Sequence, residues 1–513
     1  MTYLQSFRHL ACLAVTLGAL VHAHADETPV DLKPVKTHWR LTDETYRLPE
    51  GERMSMAGAS MLFDVSERFR LGVASYGAVR GERGGFITLG VAGEWRHSLT
   101  EDWDAHGGLF VGAGGGRGGY TLAGGGLMLR ADAGVSYALG SWGRAGVGVS
   151  HVSFPSGVVR STQPYLMVEH SFHSLIESGW LRVARDERPG LSGAPGVREQ
   201  EFAVVARSYD IADSAVQDDG LPQHPRMQLL GFEWLSYVDE HRFLKLEASG
   251  AMGGRSDGYM QIMAGAGYRW KVSPGLSLKL HGAIGAAGGG RVDTGGGVLL
   301  EGGVSVRQAI TQRTGLELTL SEIGSPSQSF RAHSLGFKVT HQFGLPEVGE
   351  HGWSTGALSA FEPQHLRLRV SSQTYFEAAP NWRRTFQDTP VSNLGVQLDY
   401  FVTPNWFFSG QGLAAYEGKA GAYMIGLVGG GGRLSLGGPW FAEGEALVGA
   451  AGGGGLSVGG GVVGQFNASL GYQWSKAFSL MATAGHLVAP RGDLRAHVAG
   501  LSMAYQFTGL LAR

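Results

Sequence analysis

Three segments of this chain repeat one another in register, which restricts the fold to units that stack or that close on themselves. Glycine triplets end at Gly126, Gly297 and Gly461, and closing phenylalanines stand at Phe172, Phe343 and Phe507. The differences 172 − 126, 343 − 297 and 507 − 461 all give 46. Inside that span a proline and an arginine keep their offsets, as Pro155/Arg160, Pro326/Arg331 and Pro490/Arg495. Ungapped matches in triplicate indicate duplication. Upstream the register loosens but the order holds. Arg96, Arg269 and Arg433 end strands that lead into earlier glycine clusters at Gly114–Gly116, Gly288–Gly290 and Gly453–Gly455.

Within each copy, apolar and polar residues alternate over segments of about 10 to 14 residues between turn signals, which reads as roughly eight strands per repeat. In the first copy these fall near 37–48, 54–65, 67–80, 84–98, 103–116, 119–139, 142–154 and 160–173. After Gly126, the residues Leu127, Leu129, Ala131, Ala133 and Val135 point one way, and Met128, Arg130, Asp132 and Gly134 point the other. Arg130, Glu301 and Gln465 share one offset on the polar face, with Asp132 and Asn467 two residues on. These five are the candidate pore-lining residues of a wet interior. With 84 glycines in 513 residues, long helices are disfavoured. The balance of 42 basic against 44 acidic residues argues against a nucleic-acid binder. A mean hydropathy of -0.04 fits strands that are apolar on alternate residues, as in an all-β transmembrane antiparallel barrel. Trp95, Tyr137, Trp270, Tyr472 and Trp474 sit at strand ends, where interfacial aromatic girdles belong.

At the N-terminus, Arg8 and His9 precede an apolar run from Leu10 to Val21, and Ala23-His24-Ala25 supplies small residues for cleavage. Residues 1–25 are therefore expected to be a signal peptide, with Asp26 as the mature start. Cys12, the single cysteine, falls inside that leader, so the mature chain is expected to have no disulfide and no thiolate metal site. No His/Asp/Glu cluster has metal-ligand spacing, and no cofactor is expected. The glycine clusters lack the Lys-Ser/Thr and following helix of a phosphate loop. A structural role, in bending strands or letting backbones approach, fits them better.

The closing strand Leu501, Met503, Tyr505, Phe507 resembles the last strand of Gram-negative outer-membrane β-barrel proteins, which alternates apolar residues and ends on an aromatic. The tail 508–513 departs from that pattern, and Met167–Phe172 and Phe337–Phe343 resemble internal relics of it. The resemblance implies insertion by the barrel assembly machinery and an outer-membrane location among lipid and lipopolysaccharide. It divides the chain into repeats at 26–172, 201–343 and 365–507, with linkers at 173–200 and 344–364. Linkers of that length suit three separate eight-stranded barrels. The many small inward residues suit one wide barrel of about 24 strands, and the wide barrel is the expectation adopted. A narrower stretch, Arg144–Phe172, is similar to lipid A 3-O-deacylases through His151 and Ser153, which share a face with Val147 and Val149. That family implies an acyl-ester hydrolase on the barrel wall. Its orienting Glu has no match, because Glu169 falls on the opposite face, and the equivalent positions are Glu322 and Gly324, then His486 and Val488. A pore or export conduit for polar solutes or a polymer is the expected function. The alternatives are a lipid A-modifying esterase and a surface-assembly barrel without transport.

Overall fold

The computed structural model describes residues 34–180, 197–346 and 361–512. The expected signal peptide lies outside the described residues. The first repeat folds into β1 (Pro34–Arg47), β2 (Arg53–Asp64), β3 (Phe69–Arg80), β4 (Ile87–Ser98), β5 (Trp103–Gly115), β6 (Leu127–Ala138), β7 (Arg144–Ser153) and β8 (Arg160–Ser178). The second comprises β9 (Val197–Ile211), β10 (Arg226–Tyr237), β11 (Arg242–Gly253), β12 (Met260–Ser273), β13 (Leu276–Gly288), β14 (Val298–Ala309), β15 (Thr314–Gly324) and β16 (Arg331–Pro346). The third comprises β17 (Phe361–Glu377), β18 (Val391–Thr403), β19 (Trp406–Glu417), β20 (Met424–Gly437), β21 (Trp440–Gly452), β22 (Val462–Gln473), β23 (Phe478–Val488) and β24 (Arg495–Ala512). Within each repeat every strand pairs antiparallel with the next, the up-and-down pattern that alternation and short turns dictate. One expected strand, 119–139, is shorter than its alternation suggested. Residues Gly119–Ala123 form a single helical turn, and the strand starts only at Leu127, after the second glycine cluster.

The sheet closes three times, which corrects the expectation of one wide barrel. β1 pairs with β8, β9 with β16 and β17 with β24, each over the length of the strand. The small inward residues do not leave a lumen, because large side chains from neighbouring strands lie over them. A Cβ added to Gly148 would meet the Tyr165 ring at 2.6 Å, one on Gly267 the Phe243 ring at 2.2 Å, and one on Gly471 the Phe441 ring at 2.1 Å. Eight strands enclose a space that side chains just fill. Reading each inward position by its own volume missed this sharing.

In every barrel the first strand begins, and the eighth ends, at one end, here called the terminal face. The other end is the loop face. On the outer wall an apolar belt runs between them, including Leu129, Val147, Leu166, Leu300, Leu335 and Phe466, all exposed. Trp95, Tyr137, Trp270, Tyr472 and Trp474 are exposed at the terminal-face ends of their strands or in the turn that follows, as a girdle requires. The chain forms transmembrane β-barrels.

The three barrels join at the loop face through the glycine clusters. A Cβ added to Gly115, Gly288 or Gly452 would lie 2.6, 2.5 or 2.0 Å from the backbone N of Ala422, Gly85 or Gly258, each in a different barrel. The second clusters repeat the pattern. At Gly126, Gly297 and Gly461, that carbon would meet the carbonyl oxygens of Ala415, Ala78 and Ala251 at 2.1, 2.4 and 2.2 Å. Gly84 N–H donates to the Gly295 carbonyl at 2.8 Å, and Gly421 N–H to that of Gly124 at 3.0 Å. The loop after the fifth strand of repeat 1 thus docks on repeat 3, that of repeat 3 on repeat 2, and that of repeat 2 on repeat 1. Three equivalent head-to-tail contacts close a ring with pseudo-threefold symmetry. At the terminal face the end of β8 adds a short ladder to β24, pairing Ser178 with Phe507 and Ile176 with Gly509. Strand pairing therefore occupies residues 173–178 and 344–346, beyond the closing phenylalanines.

Candidate functional site

Each barrel interior has two storeys. Toward the loop face lies an apolar plug, built around a tyrosine at one equivalent place on the first strand: Tyr46, Tyr209 and Tyr375, all fully buried. In the first barrel Met54, Met56, Phe86, Phe110 and Phe154 pack with Tyr46. In the second, Met227, Tyr259, Met263, Leu299 and Phe330 surround Tyr209. The third gathers Trp382, Leu413, Tyr423 and Leu456 with Tyr375.

Below the plug most inward positions carry charged, amide or hydroxyl groups bonded to one another, and at the terminal end of the second and third barrels small apolar clusters around Phe243 and Phe441 follow. Arg130 is held by Glu44 at 2.9 Å and by Asp132, with its guanidinium over the rings of Tyr76 and Tyr165. Next to it, Arg40 and Arg70 share Glu94 and Glu169, and His38 bridges Ser171 at 2.8 Å and Asp64 at 2.9 Å. Glu301 in the second barrel receives Arg207, Lys245 at 3.3 Å and His281 at 3.5 Å. Lys279 there joins Glu201 and Glu317, and Lys338 joins Glu233 and Glu317. The third barrel pairs Arg367 with Asp399 and Glu443, and Arg369 with Asp399 and Glu445. Asn467 donates to Glu445 at 2.8 Å, and Gln465 donates to Gln373 and Asn467. A charge taken out of water survives only when paired in this way.

The five candidate pore-lining residues all point inward, but not into a shared lumen. Arg130 and Asp132 belong to the first barrel, Glu301 to the second, and Gln465 and Asn467 to the third. Arg130, Glu301, Gln465 and Asn467 are buried, and each has polar atoms engaged by neighbours, although Arg130 Nη2 and Gln465 Oε1 find no hydrogen-bond partner. Sequence reasoning found the face and missed the partners. Glu44, Arg207 and Gln373 come from first strands far away in the chain, and only closure of each barrel brings them to Arg130, Glu301 and Gln465, whereas Glu445 sits opposite Asn467 on the neighbouring strand.

His151 and Ser153 lie on the outer wall beside exposed Val147 and Val149. The imidazole Nδ1 of His151 engages Thr162 Oγ1 across the strand pair at 2.8 Å. Among the described residues no carboxylate lies in ion-pair range of His151, and Glu169 points inward to Arg40 and Arg70. The chain of base and orienting acid that activates a serine is therefore not assembled at Ser153. Equivalent positions carry Glu322 against His333 at 3.4 Å, and His486 opposite His497 with ring centroids 5.3 Å apart. Among the described residues, no group of His, Cys, Asp and Glu could hold a metal ion.

No family model matches the sequence, and no curated protein matches it. Among solved structures, the siderophore receptor PirA from Pseudomonas aeruginosa is similar at 10% identity and a TM-score of 0.26, covering 94% of this chain and 81% of that one. Pseudomonas aeruginosa OpdQ is similar at 10% identity and a TM-score of 0.19, over 93% of this chain and 97% of its own. A de novo designed transmembrane β-barrel matches at 12% identity and a TM-score of 0.20, covering 30% of this chain and 99% of the design. At these scores the likenesses add nothing to the barrel fold that strand pairing establishes.

Proposed function

We propose that this chain is an exported outer-membrane protein that acts through its lipid-facing and loop-face surfaces, as a three-barrel scaffold rather than as a wide conduit. The observation that carries this reading is the two-storey interior, an apolar plug above a paired charge network in every barrel. A polar solute crossing any barrel would have to displace the plug and break ion pairs whose separation leaves buried charges uncompensated. Export is supported by the leader sequence of residues 1–25, and the outer-membrane location by the closing strand that ends on Phe507. Insertion by the assembly machinery from the periplasmic side puts the terminal face toward the periplasm and the loop face outside.

The test is electrical. Purified protein inserted in a planar bilayer, with insertion verified by protease protection, is expected to give no steady unitary current. Large, weakly selective steps would overturn the scaffold reading and restore solute passage as the function. Membrane fractionation with N-terminal sequencing checks the location separately, and a retained Met1 or a soluble pool would count against export.

A further inference from the structure

The arginine that keeps its offset in all three repeats does no packing work inside the barrels. Arg160, Arg331 and Arg495 each open the eighth strand of their repeat and stand exposed on the outer wall. Among the described residues none of the three has an ion-pair partner. The buried inward position on the sixth strand, by contrast, has drifted from Arg130 to Glu301 to Gln465. The plug tyrosine is kept for packing, but packing gives no reason to keep an exposed arginine while the inward position on the sixth strand changes, so the reason lies outside the chain.

Its height in the wall says what that is. Below each arginine the outward residues turn apolar: Pro164, Leu166 and Val168; Leu335, Phe337 and Val339; Ala499, Leu501 and Met503. The next polar outward groups are His170, His341 and Tyr505, and 170 − 160, 341 − 331 and 505 − 495 all give ten. Ten residues rising about 3.3 Å each at a tilt near 40° span about 25 Å, the height of a barrel's apolar band. The arginines therefore stand at headgroup level on the loop face. Each has company on the wall. Two residues along the strand are Thr162, His333 and His497, and opposite those across the ladder are His151, Glu322 and His486.

We propose that each repeat binds a phosphate of a lipid A headgroup on its outer wall, with Arg160, Arg331 and Arg495 as the principal ligands. A guanidinium presents paired N–H donors that match phosphate oxygens, and at a wet membrane interface it keeps its charge at little cost. The inference rests on the outer-membrane location proposed above, since lipid A fills the leaflet at the loop face. The three sites are graded by their neighbours. Repeat 3 offers Arg495 with His497 and His486, and no acid at these wall positions. Repeat 1 offers Arg160 with His151 and Thr162. Repeat 2 is weakest, because Glu322, 80% exposed, faces the same space and occupies His333.

Purified full-length protein is titrated in detergent with diphosphorylated lipid A, with lipid A stripped of both phosphates, and with phosphatidylglycerol. Bound lipid is counted by native mass spectrometry. Retention of diphosphorylated lipid A is expected, with roughly tenfold or greater weakening when the phosphates are removed. Arg495→Ala should remove the tightest site and Arg331→Ala the weakest, whereas Glu322→Gln should strengthen the second. Equal binding by the R160A/R331A/R495A protein, shown to be folded by heat-modifiable migration, would overturn the inference. So would equal binding of the stripped lipid or of phosphatidylglycerol. Should the triple variant fail to fold, the ordering of the single variants decides instead, and an effect equal at all three arginines or absent from all overturns it. Protein that fractionates with the outer membrane yet binds no lipid A sinks this inference alone. Protein found in another membrane sinks the location first.

Discussion

Arg130 sits between Glu44 and Asp132 in a space closed to water, so its removal does more than delete two bonds. Arg130→Glu would set three carboxylates against one another and should lower stability by at least the roughly 3–5 kcal/mol of a broken buried pair, read as a drop in the urea midpoint of refolding into micelles. Glu301→Gln should cost somewhat less, about 2–4 kcal/mol, because Arg207 and Lys245 each lose one buried counter-charge but keep Glu247, and Lys245 also Glu233. Gln465→Ala removes only neutral hydrogen bonds and should cost about 1–3 kcal/mol. Equal losses at all three positions would mean that the interiors are hydrated after all. On the outer wall, Ser153→Ala should leave lipid A acylation in producing cells unchanged, since His151 is engaged by Thr162 and, among the described residues, no acid orients it. That Arg130, Glu301 and Gln465 face inward was legible from alternation alone. What they touch was not, because an ion pair between β1 and β6 joins residues separated by 86 positions, and periodicity has no memory of that length.

At the scale of strands and loops, the glycine clusters act as docking surfaces between barrels. Gly297 has φ of 102° and lies where an added carbon would press on the Ala78 carbonyl of the neighbouring barrel. Gly297→Val should therefore loosen the contact between repeats 1 and 2 while leaving each barrel's own ladder intact. A cysteine pair placed at Gly77 and Ala286, which face each other across that contact, reports it directly. Disulfide formation is expected in the parent and a clear fall in the Gly297→Val protein, with far-ultraviolet circular dichroism unchanged. Loss of the β signal as well would show that the clusters serve the barrels themselves. The repeat spacing made these clusters conspicuous in sequence, and close backbone approach was a legible reason for them. The partner was invisible, because nothing in one repeat states which other repeat it will meet. The aromatic that closes each unit is a second case. Phe507 pairs with Leu366 and Ser178, and Phe172 with Thr37, so both lie inside ladders that continue beyond them. If only the last strand is read during insertion, Phe507→Ala should lower the yield of folded protein more than Phe172→Ala does. Equal yields would point to three independent insertion signals.

For the whole molecule, three closed barrels and a closed ring of contacts mean that, among the described strands, no sheet edge of a barrel remains open to a second copy along its length. Protease sites introduced at 181–196 and 347–360 should yield three fragments that migrate as one particle in mild detergent and separate only when the loop-face contacts and the β8–β24 ladder are broken. Fragments that part at once would mean that the chain, and not the glycine contacts, holds the triplet. The wide-barrel expectation failed at this scale because the inward residues were weighed one at a time. Gly148 is small so that Tyr165 can be large, and a count of small residues records only half of that exchange. The ring has a further consequence for how such a gene can be rearranged. Each unit enters and leaves on the same membrane face, and all three contacts are equivalent, so the order in which the units are transcribed is not written into the assembled object. Moving the first unit behind the third would present the same circle to the membrane, opened at another link, with only the short β8–β24 ladder to be made anew.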